Sequence, residues 1–187
     1  TTGAAPQMKL DLLGRVKNTH VPQANAFIPV FEAVVNSIHA TEDRFGDRVA
    51  ALGEVEIRIE RIPPAPTLPG VPGRHPVEQV HQFIVTDNGC GFTDANLESF
   101  ATADSTAKAH RGGKGVGRFS WLVVFEEALI QSTTQADGQG GWSRSFTFRA
   151  SREGIEEFTE RPARESEACR TVVALRGVKK RYAGAIR

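Results

Sequence analysis

The stretch QFIVTDNGCG, residues 82–91, joins a short apolar run to a polar motif that contains two glycines. Residues 82–86 predict a buried strand, because the run is short, apolar and β-prone. Asp87 then lies at the end of this strand. An ordinary turn is one interpretation of residues 87–91, since Asp, Asn and Gly are common turn residues and an Asn-Gly pair suits a hairpin. The other is a binding motif, in which Gly89 and Gly91 let backbone approach a flat ring while Asp87 accepts from an exocyclic amine such as that of adenine.

A long amphipathic helix is predicted upstream, beginning at Ala26. Its apolar residues recur at helical spacing and predict one core face: Phe27, Val30, Phe31, Val34, Val35 and Ile38. Pro29 lies near the start, where a proline costs least, and a kink there is the alternative. Glu32 and Asn36 are four apart on one side of the helix, and His39 extends that side by a turn. The side-chain oxygen of Asn36 could bind Mg²⁺, and the carboxylate of Glu32, one turn earlier, could activate a water beside a terminal phosphate. The alternative is that both residues belong to a solvated helix face.

The third motif is glycine-rich and begins a further predicted helix. It consists of Gly113, Lys114, Gly115, Val116 and Gly117. A P-loop requires Ser or Thr where Gly115 stands, and the dinucleotide fingerprint has a different glycine spacing. Bare amides at a helix N-terminus still favour an anion, and nearby Lys108, Arg111 and Arg118 add positive charge. A loop with a solvated charge cluster is the alternative.

The remaining patterns predict the layers of the fold. Strands are predicted over residues 54–60, 129–134, 142–150, 155–159 and 171–176, a helix over 93–100 capped by Thr93 or Asp94, and a second helix from 115 to about 128. Residues 63–76 hold six prolines and two glycines and predict a surface loop, and residues 101–114 predict a mobile loop. The fold class is therefore predicted as α+β, a two-layer α/β sandwich with helices on one face of a mixed, mostly antiparallel sheet.

Length, net charge, apolar stretches and cysteine spacing narrow the classes of protein to which this chain can belong. A chain of 187 residues fits one domain, residues 1–187, and the net charge of +1 gives no one-sided field for nucleic acid or membrane. No apolar stretch approaches the roughly 20 residues of a membrane span, and no signal peptide is recognisable. The two cysteines have no metal-ligand spacing. These features predict a soluble cytoplasmic protein, and the absence of an initial Met predicts a module of a longer one.

In their order and spacing, the motifs resemble the GHKL ATPase superfamily, named for gyrase, the heat-shock 90 chaperones, histidine kinases and MutL. The resemblance extends from Phe27 to Leu175 and is closest to the heat-shock 90, MutL and MORC-like ATPase domains. It carries the helix with Glu and Asn four apart, the Asp-x-Gly-x-Gly motif, a lid followed by a glycine-rich helix start, and a Thr in a late strand. It implies the Bergerat fold, with ATP and Mg²⁺ as ligands.

The resemblance also implies a role for each matching residue. Asn36 would coordinate Mg²⁺, Glu32 would activate water, and Asp87 would bind the adenine amine with Thr171 assisting through a water. The motif glycines Gly89 and Gly91 would line the base. Phosphate contacts would come from Gly113, Lys114, Gly115, Val116 and Gly117, and lid contacts from Ser105, Thr106 and Lys108.

Two departures from the family pattern bear on activity. His39 stands where several of these families have an Asp. The Lys that gyrase and MutL supply from a following transducer domain lies beyond this chain, so we expect slow hydrolysis by the isolated domain.

The expected function is an ATPase whose ATP-dependent lid switches attached domains or drives homodimerisation. Alternatives are a nucleotide-binding module with negligible hydrolysis, a histidine kinase catalytic domain and a scaffold without nucleotide. A basic cluster suits either nucleic acid or a solvated C-terminal end; it consists of Arg176, Lys179, Lys180 and Arg181.

Overall fold

The computed structural model describes residues 12–63, 78–102, 117–135 and 140–186. Its helices are α1 Leu12–Asn18, α2 Ile28–Phe45, α3 Val49–Leu52, α4 Asp94–Ala101 and α5 Gly117–Val124. Its strands are β1 Val55–Ile62, β2 Gln79–Asp87, β3 Phe125–Thr133, β4 Trp142–Arg149, β5 Ile155–Pro162 and β6 Arg170–Val178. The six predicted strands are confirmed. Thr93 caps α4 by accepting from the Asn96 N–H, which decides between the two predicted caps.

The strands form a single six-stranded sheet in the order β1-β2-β6-β3-β4-β5. All five pairings are antiparallel, so the predicted mixed sheet has no parallel neighbours among the described strands. The reason lies in β6, the last of the described strands. It inserts between β2 and β3 and runs antiparallel to both, which separates the two strands that run parallel to each other.

Helices α2 and α5 cover one face of this sheet. α2 packs on β2, and α5 packs on β3 and on α2. The strands contribute alternate residues to the core, because side chains of a strand point to opposite faces in turn. Phe83 joins the two layers, since its ring meets those of Phe27 and Phe125 edge-on at 5.9 Å. The fold is α+β, as predicted, with two layers and one buried sheet face.

The predicted core face of α2 is partly wrong. The helix buries a narrower stripe of Val30, Ala33, Ser37 and Thr41. Small residues on this stripe let the helix lie close to the sheet, so that the larger Phe31, Val35 and Ile38 are turned outward and remain 63%, 44% and 42% exposed. Pro29 occupies the first turn, where it needs no kink, and the helix continues to Phe45.

Two further segments differ from expectation. α5 ends at Val124 and β3 begins at the next residue, four positions before the predicted helix end at Ala128. The C-terminal end is packed rather than solvated throughout. Tyr182 is buried and its hydroxyl donates to the Val21 carbonyl at 2.8 Å, while Lys179 Nζ donates to the Leu122 carbonyl at 2.6 Å. These two contacts fix the chain end against α5 and the segment after α1.

None of the helices in the described ranges has the length and apolarity of a membrane span.

Candidate functional site

Asp87 ends β2 and is buried beneath α2. Its Oδ1 accepts from the Gly89 N–H at 2.9 Å, and its carboxyl hydrogen-bonds to the Ser37 side chain of α2. Burial raises the pKa of Asp87, while the bonds from Ser37 and Gly89 act in the opposite direction. The predicted carboxylate at the strand end therefore lies in a recess between sheet and helix. Sequence reasoning missed Ser37, although its position directly after Asn36 and four after Ala33 places it on the core side of the helix.

The turn after Asp87 presses against α2. A Cβ added to Gly89 would lie 2.6 Å from the Ala40 Cβ and 2.7 Å from the Ala40 carbonyl oxygen, so only glycine fits there without a shift of backbone. The Cys90 N–H donates to the same carbonyl at 3.0 Å. Since α4 comes next and not a strand, the hairpin interpretation of this motif is wrong.

Asn88 fastens the turn to the segment before β1. Its Oδ1 accepts from the Glu54 N–H at 2.9 Å and its Nδ2 donates to the Leu52 carbonyl at 2.8 Å. Its side chain is thus occupied by structural bonds, which leaves Asp87 as the side chain of this motif that faces the recess.

Gly91 adopts a left-handed conformation, with φ of +69°, which glycine adopts at little cost. A Cβ there would lie 2.7 Å from Ser132 Oγ and 3.3 Å from Thr171 Oγ1. The bare backbone at this position therefore lies in close contact with two buried hydroxyl groups.

Three buried polar side chains stand in a row across neighbouring strands. Thr171 on β6 is the cross-strand partner of Asp87 on one side and of Ser132 on the other. The Thr171 and Ser132 hydroxyls are 3.1 Å apart, and Ser132 Oγ also accepts from the Phe92 N–H at 2.9 Å. The structure thus brings the predicted Thr171 beside the predicted Asp87. It adds Ser132, which shares the core-facing alternation of β3 with Ala128 and Ile130.

Glu32 and Asn36 lie further toward the start of α2. Glu32 is half-buried against the first residue of α5, because a Cβ added to Gly117 would come within 2.7 Å of the Glu32 Cδ. Asn36 lies on the same side of the helix and is exposed. Two predicted residues from separate motifs, Glu32 and Gly117, are therefore in contact.

Most of the glycine motif and the predicted lid fall outside the described residues. These are Ser105, Thr106, Lys108, Gly113, Lys114, Gly115 and Val116. The described chain ends at Thr102 on one side of this gap and resumes at Gly117 on the other. Arg118 bridges the two sides, since its Nη2 donates to the Thr102 carbonyl at 2.7 Å and its guanidinium lies over the Phe100 ring. Arg118 was predicted only as part of a positive cluster.

Arg144 is a buried cation that sequence reasoning missed. Its Nε donates to Glu160 at 2.6 Å, its Nη1 to the Phe92 carbonyl at 2.6 Å, and its Nη2 pairs with Asp94 at the start of α4. It holds the segment that leaves the glycine turn against β4 and β5. The sequence does contain one signal for its burial: Arg144 lies two residues before the apolar Phe146, so the alternation of β4 places both on the same face of the strand.

A separate concavity of about 640 Å³ lies on the open face of the sheet. Its lining includes Thr86, Gln131, Ser145 and Arg170, which alternate with the core-facing residues. It contains neither Asp87 nor Glu32, although Ser132 of the buried polar row also belongs to its lining.

No protein-family profile matches the chain, and no curated protein matches it by sequence. The candidate site is therefore defined by its own geometry.

α2 forms one wall of that site between Glu32 and Ala40. At Ala40 and Ser37 it contacts the turn of Gly89 and Asp87, and at Glu32 it contacts the start of α5. Glu32 and Ala40 are eight positions apart, which corresponds to about 12 Å of helix rise. This arrangement can receive a hydrogen-bond donor in the buried recess at one end and offers a carboxylate beside a helix N-terminus at the other.

Proposed function

We propose that this chain is a GHKL-type domain with the Bergerat fold that binds ATP and hydrolyses it. The observation that carries the proposal is the position of α2, which sets the buried carboxylate of Asp87 and the carboxylate of Glu32 at opposite ends of one wall. Ser37, which hydrogen-bonds to Asp87, and Glu32 are five positions apart, so about 7.5 Å of helix rise separates the two contacts.

The base end has the features of a recess for a flat, amine-bearing ring. Asp87 offers a buried acceptor that is directed by Ser37 and Gly89, and Thr171 supplies a hydroxyl next to it. Gly89 and Gly91 let the backbone of the turn lie directly against Ala40 and Ser132, since a Cβ at either position would clash. An adenine amine would donate to Asp87 there, and a ring without the amine would leave this further acceptor position of the buried carboxylate unused, which is costly.

The phosphate end combines a carboxylate with a helix start. Gly117 begins α5, so amide groups at this end suit an anion, and α5 has the eight residues that give it two turns. Glu32 lies against Gly117 and is the group that would orient a water toward the terminal phosphate.

Mg²⁺ fits the donor set through Asn36. Within the described ranges, no group of three His, Cys, Asp or Glu side chains is arranged to hold a metal. Mg²⁺ in nucleotide sites takes most of its ligands from phosphate oxygens and water, so one exposed amide oxygen between the two ends of the wall suffices. The metal would neutralise phosphate charge.

The proposal includes the predicted switch. ATP would order the lid predicted over residues 101–114, of which residues 103–114 lie outside the described ranges, and this change would signal to attached domains or a second copy. Histidine kinase activity remains the alternative that phosphotransfer assays with a histidine-containing protein would reveal.

The experiment separates binding from turnover. Calorimetric titration with a slowly hydrolysed ATP analogue and Mg²⁺ measures affinity, and phosphate release measures turnover. Asp87→Asn should lower the affinity about 100-fold, because the charged acceptor for the amine is lost. Glu32→Gln should keep the affinity within about threefold and lower turnover about 100-fold.

Asp47→Asn and Glu153→Gln are the matched controls, since both carboxylates are exposed and lie away from the recess. They should leave affinity and turnover at wild-type values. Failure of the wild type to bind the analogue would overturn the proposal. Equal turnover in the wild type and in Glu32→Gln, with binding intact, would reduce it to a nucleotide-binding module.

A further inference from the structure

α2 carries an apolar stripe on a different side from Glu32 and Asn36, about 100° or more around the helix. Phe27, Phe31, Val35 and Ile38 are spaced by four, four and three residues, so they lie along one line of the helix. All four are exposed over more than a third of their surface, and Phe31 over 63%. A line of large apolar side chains in water is unusual on a monomer and indicates a surface that another element covers.

Strand β1 continues this apolar surface at the edge of the sheet. Ile57 and Ile59 are the cross-strand partners of Val85 and Phe83, which are buried, so the two isoleucines point toward the helix layer. They are nevertheless 51% and 48% exposed, because α2 covers β2 and reaches β1 only at its margin.

The stripe and the strand border the same groove. The Phe27 ring meets that of Phe83, and Phe83 is the neighbour of Ile59. We name this surface the α2–β1 face, made up of Phe27, Phe31, Val35, Ile38, Ile57 and Ile59.

The backbone of β1 is also unpaired on its outer side. β1 is the first strand of the sheet order and has β2 as its only partner among the described strands. Unpaired, apolar edge strands bind further strands unless something protects them. A bulge lies at Glu60/Arg61, near the end of β1, so the pairing from Val55 to Glu60 is regular.

We propose that a second copy of this chain covers the α2–β1 face, with β1 pairing antiparallel to β1 of the partner and Ile57 on the two-fold axis. The charges of β1 favour this register. It places Glu56 opposite the partner's Arg58 and, by symmetry, Arg58 opposite the partner's Glu56, while Val55 meets the partner's Ile59. Centring the pair on Arg58 would instead set the two arginines opposite each other and Glu56 opposite the partner's Glu60.

The helices fit this arrangement. A two-fold axis perpendicular to the sheet keeps both helix layers on the same side. Three strand spacings separate β2 from its copy, which sets the two α2 helices about 14 Å apart. A helix with its side chains has a radius of about 5–6 Å, so Phe31 and Val35 from both copies can close over Ile57 and Ile59.

The chain enters the described fold far from this face. The residues before Leu12 join the described chain at the opposite edge of the sheet, where the Leu12 side chain lies beside Gly154, between β4 and β5. The opposite edge is separated from β1 by the full width of six strands.

This dimer does not rest on the proposed ATP site, because Glu32 and Asn36 lie on a different side of α2 from the α2–β1 face. The test therefore uses the full chain without nucleotide. Sedimentation equilibrium over a concentration series should show a monomer–dimer equilibrium for the wild type. Ile57→Lys and Phe31→Glu should each raise the dissociation constant more than about tenfold, since each places two charges in the apolar interface. Leu13→Lys, at an exposed leucine on α1, is the matched control and should leave the constant unchanged.

The register is tested by charge exchange. Glu56→Arg and Arg58→Glu should each weaken self-association about tenfold, because like charges then face each other twice. An equimolar mixture of these two variants should restore association to the wild-type level, since each arginine then faces a glutamate of the other variant. Glu56 and Arg58 are well exposed in the monomer, so circular dichroism should show that both variants fold as the wild type does. If Ile57→Lys does not fold, these two variants provide the test of the β1–β1 interface.

A wild type that stays monomeric over the whole series would overturn the proposal, and would show that another occupant covers this face. Association that the control Leu13→Lys also abolishes, or a mixture no stronger than its components, would overturn the interface or its register.

Discussion

The two ends of the candidate site are held in place differently. At the base end, Asp87, Thr171 and Ser132 belong to three neighbouring strands and are buried, and Gly89 lies in direct contact with α2. At the phosphate end, Glu32 is half-buried and Asn36 is exposed, and only Gly117 of the glycine motif is described. The base end is fixed by the fold, whereas the groups at the phosphate end stand on flexible side chains. Changes at the first end should therefore affect stability, and changes at the second should affect turnover.

The largest expected effect comes from a methyl group at the base end. In Gly89→Ala the new Cβ would meet Ala40 backbone atoms, which move only with the helix or the turn. We expect a loss of about 3 kcal/mol in the free energy of unfolding, at the upper end of ordinary overpacking costs. Urea denaturation measures it. Gly184→Ala is the control, because a Cβ there meets nothing within 4 Å. A loss below about 0.5 kcal/mol would show that the base end is not rigid.

The same substitution at the phosphate end should act on chemistry. In Gly117→Ala the new Cβ meets the end of the Glu32 side chain, which can turn aside at little cost. We expect a change in unfolding free energy within about 1 kcal/mol, because alanine also favours the helix. Turnover should fall about tenfold, since the carboxylate that orients water is displaced. Phosphate release and urea denaturation on the same preparation test the contrast. Unchanged turnover would contradict the placement of Glu32.

The pH dependence of stability tests the burial of Asp87. Because burial raises its pKa, the folded state keeps the proton at pH values where the unfolded carboxyl, with a pKa of about 3.9, has lost it. The contribution of Asp87 to the free energy of unfolding is therefore fully present at low pH, below the unfolded-state pKa, and is lost as the pH rises through the folded-state pKa. Asp87→Asn cannot titrate.

The stability of Asp87→Asn relative to the wild type should consequently increase with pH from about 4 upward and then level off. Urea denaturation of both proteins at a series of pH values measures this difference, in which the other titrating groups cancel. A difference that does not change with pH would contradict a raised pKa of Asp87.

The sequence predicted those parts of the site that local patterns determine. The apolar run before Asp87 ends at the predicted position, and Thr171 lies opposite Asp87 because both belong to strand patterns that the sheet then pairs. Ser37, Ser132 and Arg144 were missed. Each is a polar residue on a core-facing position, and its partner lies on another element that no local pattern reveals.

The prediction of which face of α2 is buried was partly wrong for a related reason. Helical spacing identifies apolar residues but does not decide which of two adjacent apolar stripes meets the sheet. The narrow stripe with Ala33 and Ser37 lets α2 approach the sheet, and the wider stripe with Phe31 is left outside. The sequence alone therefore assigned exposed residues to the core.

The smallest expected effect concerns the hydroxyl of Thr171. Thr171→Val keeps the shape of the side chain and its suitability for a strand, and removes only the hydrogen bond to Ser132 Oγ, which still accepts from the Phe92 N–H. We expect a loss of about 1 kcal/mol in unfolding free energy and a fall in ATP affinity of about threefold to tenfold. Thr171→Ser retains the hydroxyl and is the control for affinity. If Thr171→Val bound the ATP analogue as tightly as Thr171→Ser, the hydroxyl would belong to the structure of the base end alone, and recognition of the amine would rest on Asp87.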